Sequence, residues 1–282
     1  MKKVIFSLKL STGNEIVNVD VFEGEGLAIV GADSNRGTSI IKSIAQKSKN
    51  VIYRGISGGL QKSEQDLFDL EIGYVTVDKE FKRQKVADVI DKASVFYDML
   101  KGEVQSIIDL PNKYLPMSVG ELPAFLQGRL ALLGTMSVGH STILIDDVFG
   151  IDGTKDAIIE FLKKAGKKPL TYIVATSDLN FASICSKTLI VDDGRVVEWG
   201  KTAKVLKTPV HPYSRWFVEL SRRGKTTVSW RKNNGKLKKR ACKYALTCPD
   251  AGDRCMREYS PFLPYTQSEC TSCYLAELKA NK

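Results

Sequence analysis

The segment after Val30 has the residues of a phosphate-binding loop. A short apolar run, Gly26–Val30, ends in Gly31, and polar residues lead from there into a stretch with helical spacing at 39–45. Backbone N–H groups in such a turn, with the N-terminus of the following helix, hold anionic oxygens. Against the consensus G-x-x-x-x-G-K-[ST], Arg36 replaces the second glycine and Gly37 the lysine. The predicted binding residues are Gly31, Ser34, Asn35, Arg36, Gly37, Thr38 and Ser39.

A second candidate group lies near the C-terminus. Five of the six cysteines fall between Cys242 and Cys273, and only Cys185 precedes them. In a reducing compartment, this local density favours a metal site over disulfides. Four thiolates can hold either zinc or an iron–sulfur cluster. Zinc ribbons usually pair two Cys-x2-Cys units, and here only Cys270 and Cys273 have that spacing. Five free thiols are the remaining alternative.

Apolar runs up to about residue 205 predict the elements that position the first group. Buried strands are expected at 142–145, 169–176 and 187–191, and Asp146 and Asp147 directly follow the first of them. Because helical segments separate these strands, the sequence predicts an α/β fold with a parallel sheet covered on both faces.

Composition excludes several classes of protein. The chain has 282 residues, of which 43% are hydrophobic and 26% charged, which is ordinary globular usage. No apolar run approaches the roughly 18 residues of a membrane span. The apolar stretch at the start is broken by Lys9, which predicts a first strand rather than a signal peptide. We therefore expect a soluble intracellular protein.

The net charge of +10 comes from one segment. Residues 221–243 hold ten Lys and Arg and no acid, and removing them leaves 32 basic against 32 acidic residues. This basic linker raises the alternative of a metal-containing regulatory or nucleic-acid-binding module. Trp230 is its only aromatic residue, so stacking platforms for bases are lacking, and we expect no nucleic acid.

Further segments complete an ordered set of motifs: residues 72–78, Ser118-Val119-Gly120-Glu121, Asp146-Asp147, 175–179 and 192–200. In this order they resemble the glutamine loop, signature, Walker B strand, switch-histidine segment and closing hairpin of ABC-type ATPases. The resemblance implies an ABC-type P-loop nucleotide-binding domain at 1–205, with a RecA-like core and a helical subdomain at about 79–130.

Residues 207–214, K-T-P-V-H-P-Y-S, narrow the resemblance. They resemble the N-P-x-H-P-Y-T element of the ATP-binding subunits of oligopeptide/dipeptide ABC importers. We expect a connecting helix (206–220) and the basic linker (221–241) to lead to a Cys-rich metal-binding domain (242–282), and this cysteine region also resembles the subgroup. The resemblance implies a 4Fe-4S cluster, with zinc as the alternative, on Cys242, Cys248, Cys255 and Cys273. His211 is predicted to serve packing, and Cys270 to be a fifth, non-ligating thiol or an exchangeable alternative ligand.

Several residues depart from the family pattern. The Walker A lysine is Gly37, the loop glutamine is Val77, the catalytic glutamate is Asp147 and the switch histidine is Ser177. Hydrolysis needs these groups on phosphate, magnesium and water. The resemblance therefore implies a degenerate site that does not hydrolyse ATP itself.

The signature residues Ser118 and Gly120 are retained. By resemblance they complete a composite site, with ATP and Mg, on a homologous catalytic ATP-binding subunit. The expected complex also holds two transmembrane permease subunits and works with an extracellular solute-binding protein. Its location would be peripheral, at the cytoplasmic face of the cell membrane.

Overall fold

The computed structural model describes residues 4–11, 16–31, 51–53, 56–58, 72–75, 77–140, 142–146, 170–192, 195–225, 227–228, 237 and 241–280. Its strands are β1 Val4–Ser11, β2 Ile16–Phe22, β3 Gly26–Val30, β4 Val51–Tyr53, β5 Ile56–Gly58, β6 Ile72–Val75, β7 Thr142–Asp146, β8 Thr171–Thr176, β9 Lys187–Asp192, β10 Arg195–Lys201, β11 Leu263–Pro264 and β12 Cys270–Thr271. Its helices are α1 Lys79–Arg83, α2 Val86–Tyr97, α3 Lys101–Ile107, α4 Ala124–Met136, α5 Leu179–Ala182, α6 Thr202–Val205, α7 Pro212–Arg223 and α8 Leu275–Ala280.

The main sheet has the order β11-β12-β10-β9-β3-β8-β7-β6 in the part of the chain that the structure describes. Strands β9, β3, β8, β7 and β6 run parallel, and β10 is antiparallel to β9. Strands β3 and β7 are buried along their whole length, which explains why they read as continuous apolar runs. The predicted α/β class with a parallel sheet is confirmed. The predicted first strand is β1, which pairs with β2 outside this sheet.

Helices α1 to α4 form the helical region beside β6 and β7. Helix α2 buries one face, with apolar residues three or four positions apart: Val86, Val89, Ile90, Ala93 and Tyr97. Helix α4 is apolar on nearly all sides and packs against α2, β6 and β7. No helix in the described ranges is long and apolar enough to cross a membrane.

Helix α7 lies in the predicted connecting segment, 206–220. It begins at Pro212 and ends at Arg223, because His211 caps its first turn and Gly224 ends it in the left-handed conformation at φ 65°. Its last three residues therefore extend into the predicted basic linker, most of which lies outside the described residues.

The C-terminal segment adds strands to the main sheet. Strand β12 pairs with β10 through Glu198 opposite Thr271 and Trp199 opposite Cys270. The Val197 carbonyl also accepts hydrogen bonds from the Thr271 hydroxyl, at 2.8 Å, and the Ser272 N–H, at 2.9 Å. The cysteine-containing segment is thus anchored on the β9–β10 pair, while its status as a separate domain stays a prediction.

The packing of α4 yields a stability prediction. Leu130 is fully buried, so Leu130→Ala leaves a cavity and should lower the free energy of unfolding by about 2–5 kcal/mol. Leu100→Ala is the matched control, because Leu100 is 74% exposed, and it should change stability by less than about 0.5 kcal/mol. Urea denaturation of the full chain measures both; equal effects would contradict the assigned packing.

Candidate nucleotide site and cysteine cavity

The carboxyl ends of the parallel strands bring the predicted phosphate-site residues to one edge of the sheet. Residue pairing aligns Val30 with Thr176 and Asp146 with Ala175 across neighbouring strands. Ligands of open α/β sheets bind at this edge. Gly31 follows β3 here and is buried, and a Cβ built on it would lie 2.4 Å from the Val191 carbonyl oxygen. This close approach requires glycine.

Asp146, the predicted magnesium-side carboxylate, ends β7 and is buried. The Tyr74 hydroxyl on neighbouring β6 donates a hydrogen bond to it, and burial followed by the Asp146 charge raises the pKa of Tyr74. Val77 packs against the core beyond β6, and Ser177 is exposed after β8. The other predicted residues lie outside the described residues: Ser34, Asn35, Arg36, Gly37, Thr38, Ser39 and Asp147.

The signature residues form a capped turn. Ser118 precedes a short 3₁₀ helix, Val119–Glu121, and its N–H donates to the Glu121 carboxylate at 2.6 Å. Hydrogen bonds from the Ser118 backbone and side chain lower the pKa of Glu121. Val119 is buried and bonded to the Gln84 carbonyl at 2.9 Å, whereas Gly120 and Glu121 are exposed. The buried Val119 therefore holds one side of the turn, and Gly120 and Glu121 leave its other side exposed to solvent.

Four of the five C-terminal cysteines meet at one cavity of about 300 Å³: Cys242, Cys248, Cys255 and Cys273. Cys270 lies outside it, on β12. Burial, followed by the neighbouring thiols, raises the pKa of Cys242 and of Cys273 to about 12. Among the residues that the structure describes, no three His, Cys, Asp or Glu side chains stand in an arrangement for a metal ion. The four thiols therefore share a cavity without converging on one point.

His211 lines the same cavity, although its sequence context predicts only packing. It is 3% exposed, and its Nδ1 accepts the Tyr213 N–H at 3.1 Å, which caps α7. Burial, with Lys243 and Arg215 nearby, lowers its pKa to about 3, so the imidazole is neutral. The position of a histidine ten residues before the basic linker gives no sequence signal for this placement.

Glu198 is a further residue that sequence reasoning missed. Its carboxylate is fully buried and accepts the N–H groups of Val210, at 2.8 Å, and His211, at 3.0 Å, and the Tyr265 hydroxyl at 2.7 Å. Burial raises its pKa, and these hydrogen bonds oppose that rise. The sequence signal for a buried charge was Glu198 itself, a single glutamate within the apolar run of β10.

Two ion pairs fasten the cysteine segment to the rest of the chain. The carboxylate of Asp192, at the end of β9, forms an ion pair with the Lys243 ammonium and accepts a hydrogen bond from the Tyr244 hydroxyl. Arg215 of α7 pairs with Asp250. Since Asp192 follows Val191, whose carbonyl lies against Gly31, the cysteine segment and the phosphate-site edge share strand β9.

Comparison with solved structures identifies the fold. An ATP-bound bacterial Atm1-family ABC exporter superposes with a TM-score of 0.52 at 17% identity, covering 72% of this chain and 40% of the exporter chain. The fold is that of an ABC-type P-loop nucleotide-binding domain.

The sequence relatives are ATP-binding proteins of transport systems. A methionine import ATP-binding protein from Francisella tularensis subsp. holarctica is 23% identical over 223 residues, covering 73% of this chain. An energy-coupling factor transporter ATP-binding protein from Mycoplasma mobile is 29% identical over 174 residues, covering 60% of this chain. The chain spans 63% of the length of the first relative and 54% of the second. No family model matches the chain.

The Glu198 contacts yield a second stability prediction. Tyr265→Phe removes one donor from a fully buried carboxylate and should lower the free energy of unfolding by about 1–3 kcal/mol. Tyr114→Phe, in the helical region, is the control and should change it by less than about 0.5 kcal/mol. Thermal and urea unfolding of both variants measure the difference. A Tyr265→Phe protein as stable as the wild type would contradict the role of this hydrogen bond.

Proposed function

We propose that the chain is a degenerate nucleotide-binding subunit of a heteromeric ABC importer for oligopeptides or similar solutes. It would sit at the cytoplasmic face of the membrane on two permease subunits, paired with a homologous catalytic ATP-binding subunit. Solute would reach the permeases from an extracellular solute-binding protein. The fold and the likeness to ATP-binding proteins of import systems support the transporter role. The 207–214 element supports the oligopeptide-type subgroup.

The observation that carries the proposal is the contrast between the two nucleotide-facing surfaces. At the chain's own edge, Val77 and Ser177 replace groups that would handle magnesium, water and the γ-phosphate. The signature turn, in contrast, is rigidly held and exposes Gly120. A chain with this combination is suited to serve a nucleotide that another subunit holds.

The signature turn supplies two groups to that nucleotide. The Ser118 hydroxyl, which donates to the Glu121 carboxylate in the free turn, would turn from it to donate to a phosphate oxygen. Gly120, without a side chain, would allow close backbone approach. Glu121 accepts from Ser118 and so fixes the orientation of the turn before ATP arrives. These residues bind and orient; the attack on the γ-phosphate depends on the partner subunit's intact site.

The helical region supplies the surface for the permease in this proposal. Large apolar side chains are exposed at the end of α2 and in the turns beside it: Val95, Phe96, Leu100 and Val138. The turn at Gly139 lies against the Phe96 ring, which brings the neighbouring Val138 close to the end of α2. Exposed apolar patches of this kind mark protein contacts.

The four cysteines that share the cavity are the ligands that this proposal assigns to a 4Fe-4S cluster, with zinc as the alternative. Both groups accept four thiolates. The support for the cluster is the likeness of the 207–214 element and of the cysteine spacing to the oligopeptide-type subgroup. When bound, the cluster would cross-link the turns of a segment that has little apolar core of its own.

The transporter proposal predicts where hydrolysis resides. The chain purified alone should hydrolyse no ATP, and the complex co-purified from membranes should hydrolyse it. Ser118→Ala should lower the turnover of the complex at least about tenfold, because it removes a donor from the partner's nucleotide. Ser106→Ala, in exposed α3, is the control and should stay within about twofold. Hydrolysis by the isolated chain at the rate of the complex would refute the proposal.

The cofactor proposal predicts colour. Anaerobically purified full-length protein should be brown with broad visible absorbance and should contain four irons per chain. Cys248→Ser should bleach it, whereas Cys270→Ser should not, because Cys270 lies outside the cavity. Colourless wild-type protein with one zinc per chain would exclude the cluster.

A further inference from the structure

The Glu121 carboxylate occupies the donors of the signature turn. It accepts the Ser118 N–H at 2.6 Å, and the Ser118 hydroxyl also donates to it. Ser118 is the residue whose hydroxyl the proposed function gives to the phosphate of the partner's nucleotide. Before ATP arrives, the carboxylate therefore holds the place of the phosphate as the acceptor of this hydroxyl.

The side chain of Glu121 carries its charge in the turn. Hydrogen bonds from the Ser118 backbone and then from its side chain lower the pKa of Glu121, and the charge of Lys85 adds to this effect. The Lys85 ammonium itself donates to the Pro116 carbonyl at 3.3 Å. Among the ion pairs that join described residues, none includes Glu121. An exposed anion thus lies beside Ser118 without a cation bound to it.

The backbone of the signature turn is held from two sides. The Val119 N–H donates to the Gln84 carbonyl at 2.9 Å, and the Gln127 side-chain amide donates to the Leu122 carbonyl at 2.7 Å. Because these bonds keep the backbone in place, a phosphate reaches the Ser118 hydroxyl only after a side-chain rotation breaks its hydrogen bond to the carboxylate.

We propose that Glu121 weakens the binding of ATP at the composite site, because the γ-phosphate must displace this carboxylate from Ser118 and is repelled by its charge. This inference rests on the proposed function. Two acceptors that contact the same residue lie within about 6 Å of each other. Like charges at that separation repel, and the repulsion grows as the closing subunits exclude water. Glu121 therefore raises the ATP concentration that the complex needs, so that its turnover follows the ATP supply.

The ATPase activity of the complex co-purified from membranes tests the charge of Glu121. Glu121→Gln keeps an acceptor for Ser118, since glutamine also serves at this capping position, but it removes the charge. The KM for ATP should fall about three- to tenfold while kcat stays within about twofold, because the repulsion acts on the bound substrate and the transition state alike.

Glu103→Gln is the matched control. Glu103 accepts the Leu100 N–H at 2.8 Å and caps α3 in the same three-residue arrangement, in a different turn from the signature. The same substitution there changes the charge and the cap in the same way. It should leave the KM for ATP within about twofold of the wild-type value.

Salt dependence separates a charge effect from a structural one. Raising the salt concentration from about 0.1 M to about 0.5 M shortens the screening length. The ratio of the wild-type KM to the Glu121→Gln KM should therefore move toward one. A carboxylate that only shapes the turn would give a ratio that salt does not change.

The outcomes separate this inference from the transporter proposal. If Ser118→Ala lowers turnover, but Glu121→Gln leaves the KM equal or higher or gives a ratio indifferent to salt, the role of Glu121 is refuted and the composite site stands. A Ser118→Ala complex with wild-type turnover, or a complex without ATPase activity, would refute the composite site and the role of Glu121 together.

Discussion

The buried carboxylate of Glu198 is the constraint on which the C-terminal half of the structure depends. A charge without exposure is costly unless hydrogen bonds replace its water. Here those bonds come from the Val210 and His211 N–H groups and from the Tyr265 hydroxyl. The three donors belong to the segment before α7 and to the segment after the basic linker. The carboxylate therefore holds β10, α7 and the C-terminal segment in one arrangement, and the position of His211 follows from it.

Strand β9 connects the two candidate sites. Its last residue, Asp192, accepts a hydrogen bond from the Tyr244 hydroxyl and pairs with the Lys243 ammonium, both in the cysteine segment. One residue earlier, the Val191 carbonyl occupies the space that a side chain at Gly31 would need. Any change in the cysteine segment that moved Asp192 would thus press on the start of the phosphate loop. In the proposed subunit, a cluster that keeps this segment rigid would also keep the nucleotide edge in shape.

Apolar runs predicted the elements that are buried on both faces. Strands β3, β7, β8 and β9 all follow such runs, because parallel strands that are buried on both faces leave no polar face. The contacts that organise the C-terminal half were beyond this reasoning. Strands β11 and β12 have two residues each, too short for any periodicity. The partners of Glu198 lie 12 to 67 positions away in the chain, and only the folded structure shows that they meet. The Tyr74–Asp146 contact was missed for the same reason.

The candidate-site residues differ in whether their partners lie nearby in the chain or are brought together only by the fold. Ser118 and Glu121 lie three positions apart in one capped turn, and resemblance to the ABC signature was enough to find them because the whole motif is contiguous in the chain. The cysteine ligands came from resemblance, since spacing left zinc, cluster and free thiols open. The cavity now separates Cys270 from the other four cysteines by position, which spacing did not do. His211 required both kinds of information. Its cap on α7 is local, but the Tyr244 ring beside it lies 33 positions further along the chain, and only the folded structure brings the two together.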